Sequence, residues 1–512
     1  MVALPTIAGP EAPTATRRST NPVLPGFHPD PSITRGADAY YLVTSSFEYL
    51  PGIPVYRSTD LDEWHIVGNV IDRAEQLDLS RTPVPGGVWA PTIRFHDGRY
   101  YVIVSVMFEA RCLLFTAQDP SGPWSDPTTI LGIEGIDPDL AWGDDGIAYV
   151  TFARLGTGIL QSAVDLETGT TLEEPRALWS GSGLYAPEGP HIYRRDDGWI
   201  LLVAEGGTER GHAVSVARGD SLKGPFVGDT TNPILSARST GSGVQNVGHA
   251  DMVATEDGRT VMVALGVRPV GPTRSFSPLG RETFLTEVDW IDGWPRPRAI
   301  EPGEQAAHAL EVTFDSPDVL QHPGWVSVRQ LPADVGRVDV AARVMIIDAG
   351  DLPSAGPGQA MIGWRQRHVD AKFSTTVDAC GGVGGLVVRV TDDLWIALEA
   401  ESTQTGTRVM ARAALAGFEK HWQHDFRGGP VELTMEFAPP RAWRPGEGSP
   451  PSGGDRVRLT ASAGDESVEL ANLDGRYWSI ETSEAFTGRV VGMYSARGNV
   501  RFERFAYDGK AS

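Results

Sequence analysis

A hairpin signal recurs five times along the first 300 residues, and this repeat constrains the fold more than any other feature of the chain. A short turn, usually containing Asp-Gly, precedes an apolar or aromatic strand in GADAYYLV (36–43), HDGRYYVI (96–103), DDGIAYVT (144–151), DDGWILLV (196–203) and EDGRTVMV (256–263). Asp-Gly between apolar runs is a strong hairpin signal. A second turn follows in RSTDLDEW (57–64), AQDPSGPW (117–124), VDLETGTTL (164–172) and GDSLKGPF (219–226). The repeating unit therefore has about four strands over roughly 50–60 residues.

Four antiparallel strands repeated radially are typical of the blade of a β-propeller. Five units fit residues 21–305, and a tail at residues 1–20, expected to be disordered, precedes them. A large β-sandwich with coincidental turn chemistry is the alternative. The propeller is favoured because both turns keep the same order within each unit.

The repeat stops near residue 310, but strand-like segments continue. They include RVDVAARVMII, GGLVVRV, LWIALEAES and VELTMEF, with little helical periodicity. Alternating strands without helices indicate a β-sandwich. We therefore predict an all-β chain in which a propeller is followed by a linker at residues 306–324 and a β-sandwich at residues 325–512.

Composition limits the classes of partner and the compartment. The net charge of −22, from 44 basic and 66 acidic residues, argues against nucleic acid or an anionic membrane and is compatible with a neutral ligand. No apolar run of about 18 residues is present, so no transmembrane helix is expected. The N-terminus does not resemble a secretory signal, which favours a cytoplasmic location. The two cysteines, Cys112 and Cys380, form no disulfide framework or metal-type spacing.

A polar or aromatic residue stands just ahead of each hairpin: Asp30, Trp89, Asp137, Glu188 and His249. The first strand of each propeller blade lines the central channel, so these side chains are expected to meet at one end of it. Asp30 lies between two prolines, which restrict its backbone. That frame suits an ordinary rigid turn, and it equally suits a carboxylate that must point along the channel. The set is suited to chemistry on a neutral, ring-shaped substrate.

At these positions the chain resembles glycoside hydrolase family 43, and within it the β-xylosidases. The resemblance rests on NPVLPGFHPDPSI, GGVWAPTIRFHDGRYY, GIDPDL, APEGPHIY, GHADMV and LGRETFL, and it continues into the second domain at RQRHVDAKFSTTVD. It implies a five-bladed propeller followed by a concanavalin-like β-sandwich. It also implies an inverting exo-glycosidase in which Asp30 is the general base, Glu188 the general acid and Asp137 the residue that tunes the pKa of the acid.

The resemblance also implies roles in substrate binding. Phe47 and Trp89 match aromatic walls of the sugar pocket, and Arg281 matches a residue that binds substrate hydroxyls. Phe486 matches a loop phenylalanine with which the second domain closes the pocket. Two alternatives stay open: Arg281 forms a structural salt bridge with Glu282 or a neighbouring acid, and Phe486 belongs to the core.

His249 matches a channel histidine that helps to hold a central cation in some relatives and contacts the sugar in others. It has no cluster of ligands beside it in the sequence. We therefore expect no metal ligand and no required cofactor, and a central calcium ion is the alternative.

The predicted activity is that of a β-D-xylosidase that releases xylose from the non-reducing ends of xylo-oligosaccharides. An α-L-arabinofuranosidase acting on arabinosyl oligosaccharides, or a bifunctional enzyme, is the alternative. A carbohydrate-binding propeller without catalysis is disfavoured because all three acids are present. The sequence does not define the oligomeric state, and the resemblance allows a homo-oligomer.

Overall fold

The computed structural model describes residues 20–440, 446, 448 and 453–512, apart from residues 110, 272–274 and 350–359. The predicted disordered tail, residues 1–20, therefore lies outside the described residues except for Thr20. Within the part of the chain that is described, no helix has the length and apolar character needed to cross a membrane.

The described residues between 32 and 297 form five antiparallel sheets that follow one another along the chain, which we name blades 1 to 5. Blade 1 contains Ser32–Arg35, Tyr40–Val43, Gly52–Ser58 and His65–Ile71; blade 2 contains Gly87–His96, Arg99–Met107, Arg111–Ala117 and Thr128–Ile130; blade 3 contains Ile136–Trp142, Ala148–Arg154, Gly158–Asp165, Thr170–Thr171 and Arg176–Trp179; blade 4 contains Glu188–Arg195, Gly198–Glu205, Ala213–Gly219 and Val227–Gly228; blade 5 contains Gln245–Ala254, Thr260–Val267, Glu282–Ile291 and Trp294–Pro297. The predicted five-bladed propeller is confirmed.

The turn chemistry explains why the strands fold into hairpins. In blade 2 the first two strands are joined by Asp97 and Gly98, whose φ values are 47° and 75°. Two successive positive φ values match the twist of antiparallel strands, and Asp-Gly adopts them readily. The repeated sequence signal therefore marks where each inner strand turns back on itself.

The segment just before blade 1 closes the ring of blades. Leu24 forms a backbone bridge with Thr283 of blade 5. The Asn21 side chain donates to the carbonyl of Leu285 at 2.8 Å and accepts from its amide at 2.8 Å. These contacts fix the segment that leads to Asp30 against the last blade.

A buried polar network joins the inner strands below the predicted site. The Arg94 guanidinium of blade 2 donates to Asp139 of blade 3 at 2.6 Å and to Asp251 of blade 5 at 2.8 Å. Asp251 also accepts from Ser32 of blade 1 at 2.7 Å and from Tyr193 of blade 4 at 2.6 Å. Each blade thus contributes one side chain, and the paired charges are hydrogen-bonded as buried charges require.

The second domain is a β-sandwich, and its described residues form twelve antiparallel strands. The strands are His308–Thr313, Gly336–Asp339, Val344–Asp348, Met361–Arg365, Ala371–Arg389, Leu394–Thr403, Gly406–Leu415, Phe418–Phe426, Val431–Ala438, Arg456–Ala463, Glu466–Asp474 and Val490–Gly509. The two longest, Ala371–Arg389 and Val490–Gly509, pair along their length with three register shifts. Such bulges bend strands, so each long strand contributes to both layers. Short helical turns at Pro317–Gln321, Pro332–Val335, Gly475–Tyr477 and Ile480–Thr482 leave the predicted all-β class confirmed.

The predicted linker at residues 306–324 requires a correction, because part of it is a strand of the sandwich. His308–Thr313 pairs with residues 504–509 of the last strand. Its side chains alternate between half-buried and exposed, a period-2 pattern in HALEVT that predicts a strand and was too short to stand out. A further pair of short strands, Ser327–Val328 with Tyr49–Leu50, joins the sandwich to blade 1.

Candidate active site

The structure brings all eight predicted site residues around one pocket at the end of the propeller channel. The pocket is lined by Asp30, Phe47, Trp89, Asp137, Glu188, His249, Arg281 and Phe486, together with Ala90, Ile136 and Thr208. Its inner cavity of about 80 Å³ adjoins an outer cavity of about 390 Å³ that shares Thr208, Arg281 and Phe486 with it.

In each blade, a residue in the left-handed backbone conformation lies beside the pocket. A left-handed conformation occurs at Asp30 (φ 55°), Ala90 (39°), Asp137 (54°), Gly189 (54°) and His249 (45°). In blades 2 to 5 the pairing of the first two strands shifts register at this point. Positive φ is uncommon outside glycine and clusters at functional sites. The prolines around Asp30 therefore belong to a strained turn that also directs a carboxylate, so the two interpretations of this stretch describe one feature.

This geometry corrects the assumption that the five predicted residues are equivalent in their blades. Trp89 and Glu188 each stand one residue ahead of the left-handed position, which Ala90 and Gly189 occupy. A Cβ at Gly189 would lie 3.1 Å from Nε2 of His249, and the Gly189 amide donates to Asp137 Oδ2 at 2.9 Å. In blade 4 the left-handed position, where a side chain would crowd His249, is therefore a glycine. The acid of this blade, Glu188, is the preceding residue.

Asp30 is held as a carboxylate by surrounding donors. Arg281 donates through Nη1 to Oδ1 at 3.0 Å, and the Ser45 hydroxyl donates to Oδ2 at 2.6 Å. His249 Nδ1 lies 3.7 Å from Oδ1. Burial acts to raise the pKa of Asp30, but the charges of Arg281 and His249 and the Ser45 hydrogen bond outweigh it, so that its pKa lies below the ordinary value.

The contacts of Arg281 identify the acid with which this residue pairs. Its guanidinium pairs with Asp30, whereas Glu282 pairs with Arg268 at 2.8 Å. The alternative of a salt bridge with Glu282 is therefore wrong, and the neighbouring acid that binds Arg281 is a site residue. Arg281 also donates to the Thr208 hydroxyl at 3.0 Å and to the Phe486 carbonyl at 3.3 Å.

Glu188 has the opposite electrostatic environment. Burial, together with the negative charges of Asp137 and Asp30, raises the pKa of Glu188 to about 8. Burial also raises the pKa of Asp137, with a further contribution from Asp30. Three carboxyl groups in one pocket therefore differ in proton affinity: the pKa of Asp30 is lowered, whereas those of Asp137 and Glu188 are raised.

Three aromatic rings form one wall of the pocket. The Trp89 ring packs edge-on against Phe486 with centroids 5.2 Å apart and against Phe47 at 6.1 Å. Phe486 also contacts Phe47 at 5.9 Å, and the Arg281 guanidinium lies 5.0 Å from the Phe486 centroid. The second domain thus contributes a half-buried ring to the pocket, so Phe486 is not simply part of the core of the sandwich.

The charged side chains near the channel centre pair with one another. His249 faces Asp30, and the two acids deeper in the channel, Asp139 and Asp251, bind the Arg94 guanidinium. Across the described ranges, no group of three or more His, Cys, Asp or Glu side chains could hold a metal. The absence of a required metal ion stays a prediction.

Sequence reasoning missed several residues that complete the site. Ser45 and Thr208, which contact Asp30 and Arg281, carry no local signal, since serine and threonine are common beside strands. The outer cavity includes Glu209, Asn246, Ile480, Glu481 and Glu484. Its sandwich residues become neighbours of the propeller only through the domain contact.

Comparison with known proteins agrees with the geometry. The family model described as glycosyl hydrolases family 43 matches residues 19–295. A xylosidase/arabinosidase of Butyrivibrio fibrisolvens is 42% identical over 300 residues, covering 56% of this chain and 57% of the relative. A non-reducing end α-L-arabinofuranosidase of Bacteroides ovatus is 41% identical over 288 residues, covering 55% and 54%.

One solved structure extends the likeness over both domains. A xylan β-1,4-xylosidase of Bacillus halodurans has a TM-score of 0.83 at 26% identity and covers 96% of this chain and 100% of its own. The two curated relatives are matched over only a little more than half of their length.

Proposed function

The chain belongs to glycosyl hydrolases family 43, and from this premise we propose that it is an inverting, exo-acting β-D-xylosidase that releases xylose from the non-reducing ends of xylo-oligosaccharides. The contrast between two acids carries the proposal. The pKa of Asp30 lies below its ordinary value, whereas that of Glu188 is raised to about 8. Inversion requires one ionised and one protonated carboxyl group, on opposite faces of the sugar.

Glu188 is the proposed general acid. With a pKa of about 8, it is about nine-tenths protonated at pH 7. It can therefore donate a proton to the glycosidic oxygen as the bond to the anomeric carbon breaks. Asp137 supports this role because its negative charge disfavours the ionised form of Glu188.

Asp30 is the proposed general base. Its oxygens accept from Arg281 and Ser45, but a carboxylate has about four acceptor sites. A water molecule can therefore donate to Asp30 and lose its proton there while its oxygen attacks the anomeric carbon. Nη2 of Arg281, which lies 3.5 Å from Asp30 Oδ2, keeps an N–H donor for a sugar hydroxyl.

The shape of the pocket supports removal of single terminal sugars. Phe486 and Ile136 both line the inner cavity, which adjoins the outer cavity at Thr208, Arg281 and Phe486. A single terminal sugar is the proposed occupant of the inner cavity, and the outer cavity is the proposed place for the leaving group. Its acidic residues, Glu209, Glu481 and Glu484, favour a neutral leaving group.

An α-L-arabinofuranosidase is the second candidate. The names of the two curated relatives support it, since one is a xylosidase/arabinosidase and the other an arabinofuranosidase. Both sugars are pentoses of similar reach, and the same two carboxyl groups would serve either reaction.

A hydrolysis screen tests the proposal. The purified chain would be assayed on xylobiose, p-nitrophenyl β-D-xyloside and p-nitrophenyl α-L-arabinofuranoside, with Asp30→Asn as the inactive control. Release of xylose from xylobiose and a higher kcat/KM on the xyloside are expected. A higher kcat/KM on the arabinofuranoside would favour the second candidate, and no hydrolysis of any substrate would indicate a binding protein.

A further inference from the structure

A second cavity, of about 320 Å³, lies between the propeller and the sandwich and shares no lining residue with the candidate active site. Its thirteen lining residues include two arginines, Arg365 and Arg367, and four histidines, His28, His65, His308 and His322, and none is acidic. This composition is unexpected by chance in a chain whose net charge is −22.

Arg365 is the central residue of this cavity. It ends the strand Met361–Arg365 and is 5% exposed. Its Nε and Nη2 atoms are buried without a hydrogen-bond partner in the described part of the chain, and its guanidinium lies 5.2 Å from the Phe27 ring centroid. A buried charge without a partner is costly and calls for one.

Other buried arginines of the sandwich pair with a carboxylate, a partner that Arg365 lacks among the described residues. Arg389 donates to Glu48 at 2.8 Å, and Arg489 donates to Asp455 at 3.0 Å. Both are fully buried, like Arg365, and both have a carboxylate. Among the described residues, Arg365 forms no such ion pair, which leaves its charge available to a bound group.

Two further unpartnered donors belong to residues that line this cavity. Nε of Arg367 and Nε2 of His308 are also buried without a hydrogen-bond partner among the described residues. Arg365 and Arg367 lie close enough to act on the same histidine: burial lowers the pKa of His28, and the two guanidinium charges lower it further. The two arginines therefore make the cavity electropositive.

We propose that this cavity binds a small organic anion, whose phosphate or carboxylate group is held by Arg365 and Arg367. A guanidinium matches both oxyanions through paired hydrogen bonds. A cavity of about 150 Å³ can hold benzene, so 320 Å³ accommodates an oxyanion together with a ring of monosaccharide size. Trp64 and Trp364 provide apolar faces for that ring.

The proposed site is contributed by both domains. His28, Tyr56 and Trp64 come from the propeller, whereas Trp364, Arg365 and the neighbouring residues come from the sandwich. An anion bound there stabilises the folded chain as any ligand selective for the native state does. Anion binding at this site does not depend on the glycosidase activity, and a binding measurement alone tests it.

Thermal unfolding of the full chain tests the proposal. Inorganic phosphate, glucose 6-phosphate and glucuronate would be titrated at constant ionic strength, with glucose and sodium chloride as neutral-ring and salt controls. A saturable rise in unfolding temperature with at least one oxyanion, and none with the controls, is expected. A response to the phosphates alone identifies the phosphate group, and a response to glucuronate alone identifies the carboxylate. No saturable response, or an equal response to chloride, would overturn the proposal.

Variants locate the binding. Arg365→Gln and Arg367→Gln should each weaken oxyanion binding at least about tenfold, the effect of losing a hydrogen bond to a charged group. Arg337→Gln, at an exposed position of the same domain, should bind like the parent. Because Arg367 is only half-buried, its variant remains informative if Arg365→Gln fails to fold. Unchanged affinity in Arg367→Gln would show that the anion binds elsewhere.

Discussion

Replacing Asp137 with asparagine should lower the pKa of Glu188 and thereby change the pH dependence of turnover. The substitution preserves shape, and an amide oxygen can still accept from the Gly189 amide that Asp137 binds at 2.9 Å. It removes the negative charge that, after burial, contributes most to raising the pKa of Glu188 from 4.5 to about 8. Ionisation of Glu188 becomes easier without that charge, so the basic limb of the profile moves to lower pH.

The size of the effect follows from these environments. Because burial remains, the pKa of Glu188 should fall only part of the way, by about one unit for the loss of one neighbouring charge. At pH 9 the protonated fraction then drops from about one-tenth to about one-hundredth, whereas at pH 6 both forms stay mostly protonated. The ratio of kcat/KM between the variant and the parent should therefore fall about tenfold between pH 6 and pH 9.

The assay is a pH profile of kcat/KM on xylobiose, whose poor leaving group makes protonation essential. Asp145→Asn, at an exposed turn of the same blade, is the matched control and should keep the parental profile. If the ratio for Asp137→Asn stays constant from pH 6 to pH 9, Asp137 does not set the proton affinity of Glu188, and the reasoning from its charge is refuted.

Three other perturbations test separate parts of the site. Glu188→Ala should cripple hydrolysis of xylobiose yet spare activity on an aryl xyloside with an acidic phenol, whereas Asp30→Ala should abolish both activities. For Glu188→Ala, the loss on xylobiose should exceed the loss on the aryl xyloside by a factor on the order of 10²–10⁴, the contribution of general acid catalysis. Equal losses on both substrates would contradict the assignment. Arg281→Gln should move the acidic limb to higher pH and raise KM, because Arg281 lowers the pKa of Asp30; an unmoved limb would mean that this charge is unimportant. Activity should survive exhaustive treatment with EDTA, and its loss with recovery on adding calcium would show that a metal acts in the channel.

The local sequence was sufficient to predict the propeller because its information is repeated. Turns such as Asp97-Gly98 require positive φ, which few residue pairs adopt, and the turns of blades 2 to 5 all contain a glycine with positive φ. The same logic failed for His308–Thr313, where one short alternating segment has no repeat to support it.

The sequence predicted the positions of the acids that lie at a strained backbone position before a proline, but not the other features of the site. Asp30 and Asp137 occupy the left-handed position of their blades and precede prolines, so their placement could be anticipated. The one-residue offset of Glu188 could not, since it depends on the space that His249 leaves at Gly189. Likewise, the contact of Phe486 with Trp89 depends on how two domains pack, which no local pattern records.

The most direct test of the central claim is the configuration of the first product, observed by proton NMR during rapid hydrolysis of a β-xyloside. If Asp30 activates water on the face opposite to the leaving group protonated by Glu188, α-xylose appears first, and the β-anomer follows only by mutarotation. If β-xylose appears first, the reaction proceeds with retention, and the assignment of Asp30 as the base that activates water is wrong.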